Sequence, residues 1–253
     1  MLIEKALIRS KIDTTEIEIF LSSLLGKDRS FVRGFPDFKL TPNHTRKLKE
    51  FIKRRAKSEP LAYIIGFKEF CGLKFFVDKR VMVPRPETES LVNEVISHVY
   101  ATPNRNRKNH WPYEDLTIVD VGTGSGCIAI SLAKAIPFAR VAAVEKDKSA
   151  FQVARKNIRS HKVRKQVDLI LGELLDPIGK PVDIIVANLP YIPTSRFKKL
   201  QKEVTKWEPR IALDGGSDGL KFYRKLFAQV ADKLKPNGLF VYEIDGEIYS
   251  KRY

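Results

Sequence analysis

Four short stretches carry residue types suited to chemistry, and each directly follows an apolar, β-like run. Val119-Asp120-Val121 runs into Gly122-Thr123-Gly124-Ser125-Gly126, and a helical stretch opens at Cys127. Glycines there let the backbone turn tightly and let a ligand approach the main chain. A helix start just beyond adds amide donors for an anionic group. Alone, such a loop fits a dinucleotide site or merely a tight turn. Glu145 ends the next apolar run about twenty residues on, where a carboxylate can accept both ribose hydroxyls of an adenosine-type cofactor. Its plainer reading is a solvent-facing charge at a strand end. Gly172-Glu173-Leu174-Leu175 closes the third run. Glu173 and Leu174 could flank an adenine, although turns often carry such residues.

The fourth stretch is Asn188-Leu189-Pro190-Tyr191. A polar-proline turn is its ordinary reading. Its order also suits one chemical task. A planar NH2 group has two hydrogens to place. The Asn188 side-chain oxygen and the Leu189 carbonyl, held rigid before Pro190, can accept one each. Tyr191 can stack on the planar group. All four stretches fall at the carboxyl ends of strands, where open α/β sheets bind their ligands.

The elements that must position them alternate. Candidate strands cover 117–121, 141–145, 167–171, 183–187 and 239–244, with helical stretches over 127–135, 148–160 and 219–234. The strands are short and apolar on both faces, as a sheet covered by helices requires. This pattern predicts an α/β fold with a mostly parallel, doubly wound sheet. Upstream the chain reads helical. Thr15 with Glu18 resembles a capping box, and Ile17, Phe20, Leu21, Leu24 and Leu25 follow at helical spacing. Thr41-Pro42 reads as an N-cap followed by proline at the first helical position. Glu59-Pro60 starts a short segment, 61–65, closed by Gly66. Residues 70–83, punctuated by Gly72 and Asp78-Lys79, suggest a hairpin. Glu87-Thr88-Glu89 opens a helix through Val99, and the polar residues 102–115 read as a loop or linker.

Composition narrows the class. The chain has 253 residues, of which 43% are apolar, enough for a packed core. Its apolar stretches are too short to span a bilayer, and no signal peptide is visible. Cys71 and Cys127 have no CxxC neighbour, so neither a disulfide framework nor a zinc site is expected, and a cytoplasmic location fits. His44, His98, His110 and His161 show no ligand spacing, so no metal is expected. The formal charge of +16 favours anionic partners such as RNA and ribosomes, or simply reflects a solvated lysine-rich surface.

The glycine loop, Glu145 and Asn188-Leu189-Pro190-Tyr191 together resemble the amino-methyltransferases that use S-adenosylmethionine. Further stretches sharpen this. Glu59-Pro60-Leu61-Ala62-Tyr63, Pro84-Arg85-Pro86-Glu87-Thr88-Glu89, and the run from Trp207-Glu208-Pro209-Arg210 to Leu213-Asp214-Gly215-Gly216-Ser217-Asp218-Gly219 stand in order. They are similar to the release factor glutamine N5-methyltransferase family, within the class I methyltransferases, over nearly the whole chain. The resemblance implies a helical substrate-recognition domain over residues 1–68, a hairpin linker over 69–84 and a Rossmann-like methyltransferase domain over 85–253. The implied substrate is the glutamine of the Gly-Gly-Gln loop of class 1 peptide chain release factors. Carried over by position, Gly122, Thr123, Gly124, Ser125 and Gly126 line the cofactor with Glu173, Leu174 and Asn188. Glu145 holds its ribose, and residues 188–191 hold the glutamine amide. Leu189 stands where the family usually has proline, and Glu145 replaces a commoner aspartate. The sequence ends at Tyr253, soon after the fifth strand, where the family continues through a helix and a closing strand pair. The expectation is a sheet lacking its C-terminal strands, with an open edge. Two other readings are an adenine N6-methyltransferase acting on ribosomal RNA or DNA, and a non-catalytic ribosome-associated protein. The region around Glu59-Pro60 argues against the first, and the intact glycine loop against the second.

Overall fold

Strands that are apolar on both faces need cover on both sides, and the computed structural model shows how the chain supplies it. It describes residues 1–8, 12–101 and 116–253. The expected linker over 102–115, with His110, lies outside the described residues. Two contact units emerge: Met1–Phe67 with Gln201–Trp207, and Lys68–Leu200 with Glu208–Tyr253.

The first unit is helical. It contains α1 (Ile3–Ile8), α2 (Thr14–Leu25), α3 (Arg29–Gly34), α4 (Pro42–Arg55) and α5 (Leu61–Ile65), joined by α9 (Lys202–Trp207) from later in the chain. Ile17, Phe20 and Leu21 of α2 meet Leu48 and Phe51 of α4, and the Phe20 and Phe51 rings stack at 4.2 Å. Thr41 caps α4 by accepting from the His44 N–H, with Pro42 in the first turn. The cap of α2 differs from the expected box. Asp13 accepts from the Thr15 and Glu16 N–H groups, because a carboxylate two residues earlier reaches the same free donors. Glu18 is instead buried between Arg29 and Arg33, at 2.7 and 2.8 Å. Arg55 joins Glu16 of α2 to Glu203 of α9, at 2.6 and 3.1 Å.

The second unit opens with a hairpin, β1 (Phe67–Phe70) and β2 (Leu73–Phe76). It is shorter and earlier than the 70–83 expected, because Cys71 and Gly72 both adopt positive φ, the geometry of a two-residue turn. After a short 3-10 turn at Pro86–Thr88 comes α6 (Glu89–Ala101). The sheet then builds from β3 (Thr117–Val121), α7 (Cys127–Ala135), β4 (Arg140–Glu145), α8 (Lys148–Ser160), β5 (Val167–Leu171) and β6 (Val182–Ala187). It is completed by α10 (Lys221–Lys233), β7 (Leu234–Ile244) and β8 (Glu247–Arg252). The strand order is β5-β4-β3-β6-β7-β8, parallel through β7. One core layer packs β3, β4 and β6 against α6 and α7; the other packs the opposite face against Tyr223, Leu226 and Val230 of α10.

The sheet does not stop at the fifth parallel strand, as the sequence reading expected. Asp245 and Gly246, both at positive φ, turn the chain back, and β8 pairs antiparallel with β7 from Ile244↔Glu247 to Leu239↔Arg252. An Asp-Gly turn matches the right-handed twist of the strands it joins, so it favours this hairpin locally.

Candidate functional site

The chain runs β3→β4→β5 toward one edge, then returns across β3 to β6 and β7, so the topological switch lies between β3 and β6. Register does the rest. Val121 pairs with Val144 on one side and with Ala187 on the other. The residues that follow, Gly122, Glu145 and Asn188, therefore emerge side by side at the carboxyl ends, where such sheets hold ligands.

The loop after β3 turns through three glycines at positive φ, Gly122 (74°), Gly124 (57°) and Gly126 (82°). At Gly122 a Cβ would stand 2.8 Å from the Leu189 side chain; at Gly126 it would press on Ile130 and Ala154. The positive φ at both positions favours glycine, and the crowding adds to that preference. The Gly122 and Thr123 N–H groups both donate to the Val144 carbonyl. Asn157 of α8 staples the loop to the hairpin: its amide donates to the Ser125 and Phe76 carbonyls and accepts from the Phe76 N–H.

Glu145 is 9% exposed. One carboxyl oxygen accepts from the Gly124 N–H and the other from the Asp147 N–H, each at 2.8 Å. Burial raises its pKa, opposed by those hydrogen bonds. A carboxylate has about four acceptor sites, so about two remain for paired hydroxyls. Glu173 holds Lys146 at 2.7 Å and Lys225 at 3.5 Å, and the hydrogen bond from Lys146 lowers its pKa. Leu174 is nearly buried, at φ 48°.

Asn188 follows β6. Its side-chain N–H groups donate to Thr88 Oγ1 and to Glu243 Oε2, each at 2.9 Å. The Leu189 N–H donates to the hydroxyl of fully buried Tyr223, which in turn donates to the Glu243 carbonyl. The backbone of Pro190 and Tyr191 runs against a second glycine loop. A Cβ on Gly215 would lie 2.7 Å from the Pro190 carbonyl oxygen, and one on Gly219 would clash with that of Tyr191. Asp214 anchors this loop through Thr194, Gly216 and Arg210. Burial, then the charges of Glu243 and Asp245, push the Tyr191 hydroxyl up to about 12.

A single cavity wall brings together Gly122, Thr123, Gly124, Ser125, Glu145, Glu173, Leu174, Asn188, Leu189 and Pro190. Gly126 and Tyr191 are not part of it. Gly126 caps α7, and Tyr191 packs against the core layer that holds Tyr223. The cavity also takes in Arg85, Thr88, Ile211 and Phe222, which the sequence did not single out as site residues. Arg85 pairs with Glu208 at 2.5 Å, and the Glu208 side chain is 0% exposed. A carboxylate beside Pro209 and an arginine beside two prolines was the available signal, but only the fold joins them. Among the described residues no cluster of His, Cys, Asp and Glu is arranged to hold a metal. No helix among them is long and apolar enough to cross a membrane.

Comparison with known proteins places the chain in a family. Residues 3–66 match the PrmC N-terminal domain model, and residues 108–206 match the methyltransferase small domain. The chain is 41% identical over 244 residues to the release factor glutamine methyltransferase of Geobacter sulfurreducens, covering 96% of this chain and 80% of that protein. It is 38% identical to that of Koribacter versatilis, covering 90% and 77%. The crystal structure of the hMettl16 catalytic domain in complex with an RNA hairpin shares the fold, with a TM-score of 0.52 at 13% identity, covering 84% of this chain and 70% of that one. On a 41% identity that runs through almost all of its length, the chain belongs to the release factor glutamine methyltransferase family.

Proposed function

We propose that this chain methylates the side-chain amide nitrogen of the glutamine in the Gly-Gly-Gln loop of class 1 release factors. The observation that carries the reading is the orientation of Asn188. Both of its N–H groups are taken by Thr88 and Glu243, so its oxygen is the atom left to accept from a ligand in the cavity.

S-adenosylmethionine, the methyl donor, supplies an electrophilic methyl group on a sulfonium. The residues present fit it. The glycine loop lines the cavity with Gly122 and Gly124 at positive φ, and Glu145 keeps acceptor capacity beyond its two backbone hydrogen bonds. Leu174 adds an apolar wall beside them. Asn188 completes the cofactor side of the same cavity, next to Gly122.

An amide nitrogen is a poor nucleophile because its lone pair is delocalised into the carbonyl. The Asn188 oxygen and the Leu189 carbonyl accept its two hydrogens, enrich the nitrogen and fix its direction. They also stabilise the positive charge that grows on nitrogen during transfer. Pro190 stiffens the backbone that carries the second acceptor. Tyr191 lies outside the cavity wall and packs beneath it, so it backs the loop that carries these acceptors. No base is required before transfer, because the proton is lost afterwards. Most of the rate comes from positioning.

Class 1 release factors work on the ribosome, and the charge of +16 supports an added attraction to its RNA. A cytoplasmic location fits that partner. The test is transfer of labelled methyl from S-adenosylmethionine to a purified class 1 release factor, beside one whose loop glutamine is replaced by alanine. Label on the first alone is expected, and Asn188→Ala is expected to lower kcat about 100- to 1000-fold and to weaken cofactor binding far less. Label on ribosomal RNA and none on the release factor would overturn the reading.

A further inference from the structure

The carboxamide of an asparagine is nearly symmetric in shape, so its surroundings decide whether oxygen or nitrogen faces a substrate. We propose that Glu243 and Thr88 are positioning residues that lock the Asn188 amide with its oxygen toward the glutamine and sharpen that oxygen as an acceptor. This rests on the function proposed above.

Asn188 is held by two partners, and the three residues come from three separate elements. Thr88 ends the turn before α6, Asn188 follows β6, and Glu243 lies in β7. One Asn188 N–H donates to Glu243 Oε2 and the other to Thr88 Oγ1. The Thr88 oxygen accepts in this arrangement, and an ionised carboxylate such as Glu243 can do nothing else. A flipped Asn188 would set its oxygen 2.9 Å from a carboxylate oxygen and lose the bond to Glu243. Thr88 is 3% exposed and Glu243 1%, so water cannot take over either role. Donation from an amide to a charged acceptor also pulls electron density toward the amide oxygen. Glu243 touches no reacting atom in this arrangement and acts through Asn188.

The carboxylate is expensive to hold there. Burial pushes the Glu243 carboxyl above its ordinary range and the charge of Glu87 adds to the rise, while the hydrogen bond from Asn188 opposes it. Glu243 is also the acidic residue in an otherwise apolar run, Leu239-Phe240-Val241-Tyr242-Glu243-Ile244. A structural role alone would be met by another apolar side chain at that position.

The decisive experiment is a charge exchange. Asn188→Asp and Glu243→Gln are made singly and together, and kcat, KM and cofactor Kd are measured on release factor. Glu243→Gln is expected to lower kcat about 10- to 100-fold with cofactor Kd within about twofold. Asn188→Asp sets two carboxylates face to face and should lose more. In the double variant the new amide at 243 donates to the new carboxylate at 188, whose other oxygen accepts from the substrate. Its kcat should recover to at least about tenfold above either single variant. A folded double variant no better than the worse single one, or Glu243→Gln with wild-type kcat, would overturn the lock. A second measurement needs no substrate. The Asn188 side-chain amide protons should resist exchange in the wild type and lose that protection in Glu243→Gln and Thr88→Val but not in Thr88→Ser. Equal exchange in all four proteins would overturn the lock even where release factor is methylated. Protection in the wild type without any methylation of release factor would overturn the substrate reading and leave the lock standing.

Discussion

Asp120, at the end of β3, is 0% exposed, and only one of its two carboxyl oxygens is served. Oδ2 accepts from the Thr123 hydroxyl at 2.6 Å and from the Ala129 N–H at 3.0 Å, while Oδ1 has no hydrogen-bond partner. Burial pushes its pKa from an ordinary 3.8 to about 7, with the Glu145 charge adding to the rise and those two partners opposing it. Between those values the folded chain keeps a proton that the unfolded chain has lost. Stability therefore falls as pH rises through this window and levels off above about pH 7. The whole rise corresponds to about 4 kcal/mol, of which about 2 to 3 falls between pH 5 and pH 8. Asp120→Asn removes this dependence. Its oxygen keeps both hydrogen bonds, and its NH2 takes the unserved position at a pH-independent cost of about 1–3 kcal/mol. Wild type should be the more stable protein at pH 5, and its advantage should vanish or reverse by pH 8. For a chain of this size the difference in Tm between the two proteins should move by about 5–10 °C across that range. Thermal or urea unfolding of both proteins without cofactor at four pH values reads the gap directly, because every other titrating group is common to the pair. A gap constant to within about 0.5 kcal/mol would refute the reasoning.

Two further substitutions probe the site from other sides. Glu145→Gln replaces one acceptor oxygen with a donor facing a backbone N–H, so calorimetry should show cofactor Kd raised about 10- to 100-fold, with kcat at saturation nearly intact; an unchanged Kd would remove Glu145 from the cofactor. Arg85→Ala leaves the buried Glu208 carboxylate without its guanidinium and should lower stability by about 3–5 kcal/mol in urea unfolding. Glu208→Gln, which can still accept from the Val83 N–H, should cost less. Equal stability of Arg85→Ala and wild type would show that the pair holds nothing together.

The division between what the sequence disclosed and what it withheld follows the range of the interactions. The alternation of apolar runs and helical stretches gave α7 and α8 to the residue and the parallel strands to within a few positions, because burial on both faces writes itself into each strand separately. Thr41-Pro42 and the Gly66 cap were equally legible, being local chemistry. The α2 cap was misread because Asp13 and Thr15 both fit the start of the helix, and only the geometry of the turn chooses between them. The β8 hairpin is hard to read from sequence although Asp245-Gly246 is a strong turn signal, since Glu247 to Arg252 is mostly polar and exposed, as an edge strand can be. The gap that matters most is at Asn188. Its residue type and its place after an apolar strand mark it as an acceptor or a donor, and nothing nearby in sequence says which. That choice is made by Thr88, 100 residues earlier, and Glu243, 55 residues later. The topology brings both to Asn188: β6 and β7 are paired neighbours in the sheet, and Thr88 of the turn before α6 reaches Asn188 by a hydrogen bond. A short motif can thus name the atoms able to meet a substrate amide, while the direction in which they point is a property of the whole sheet.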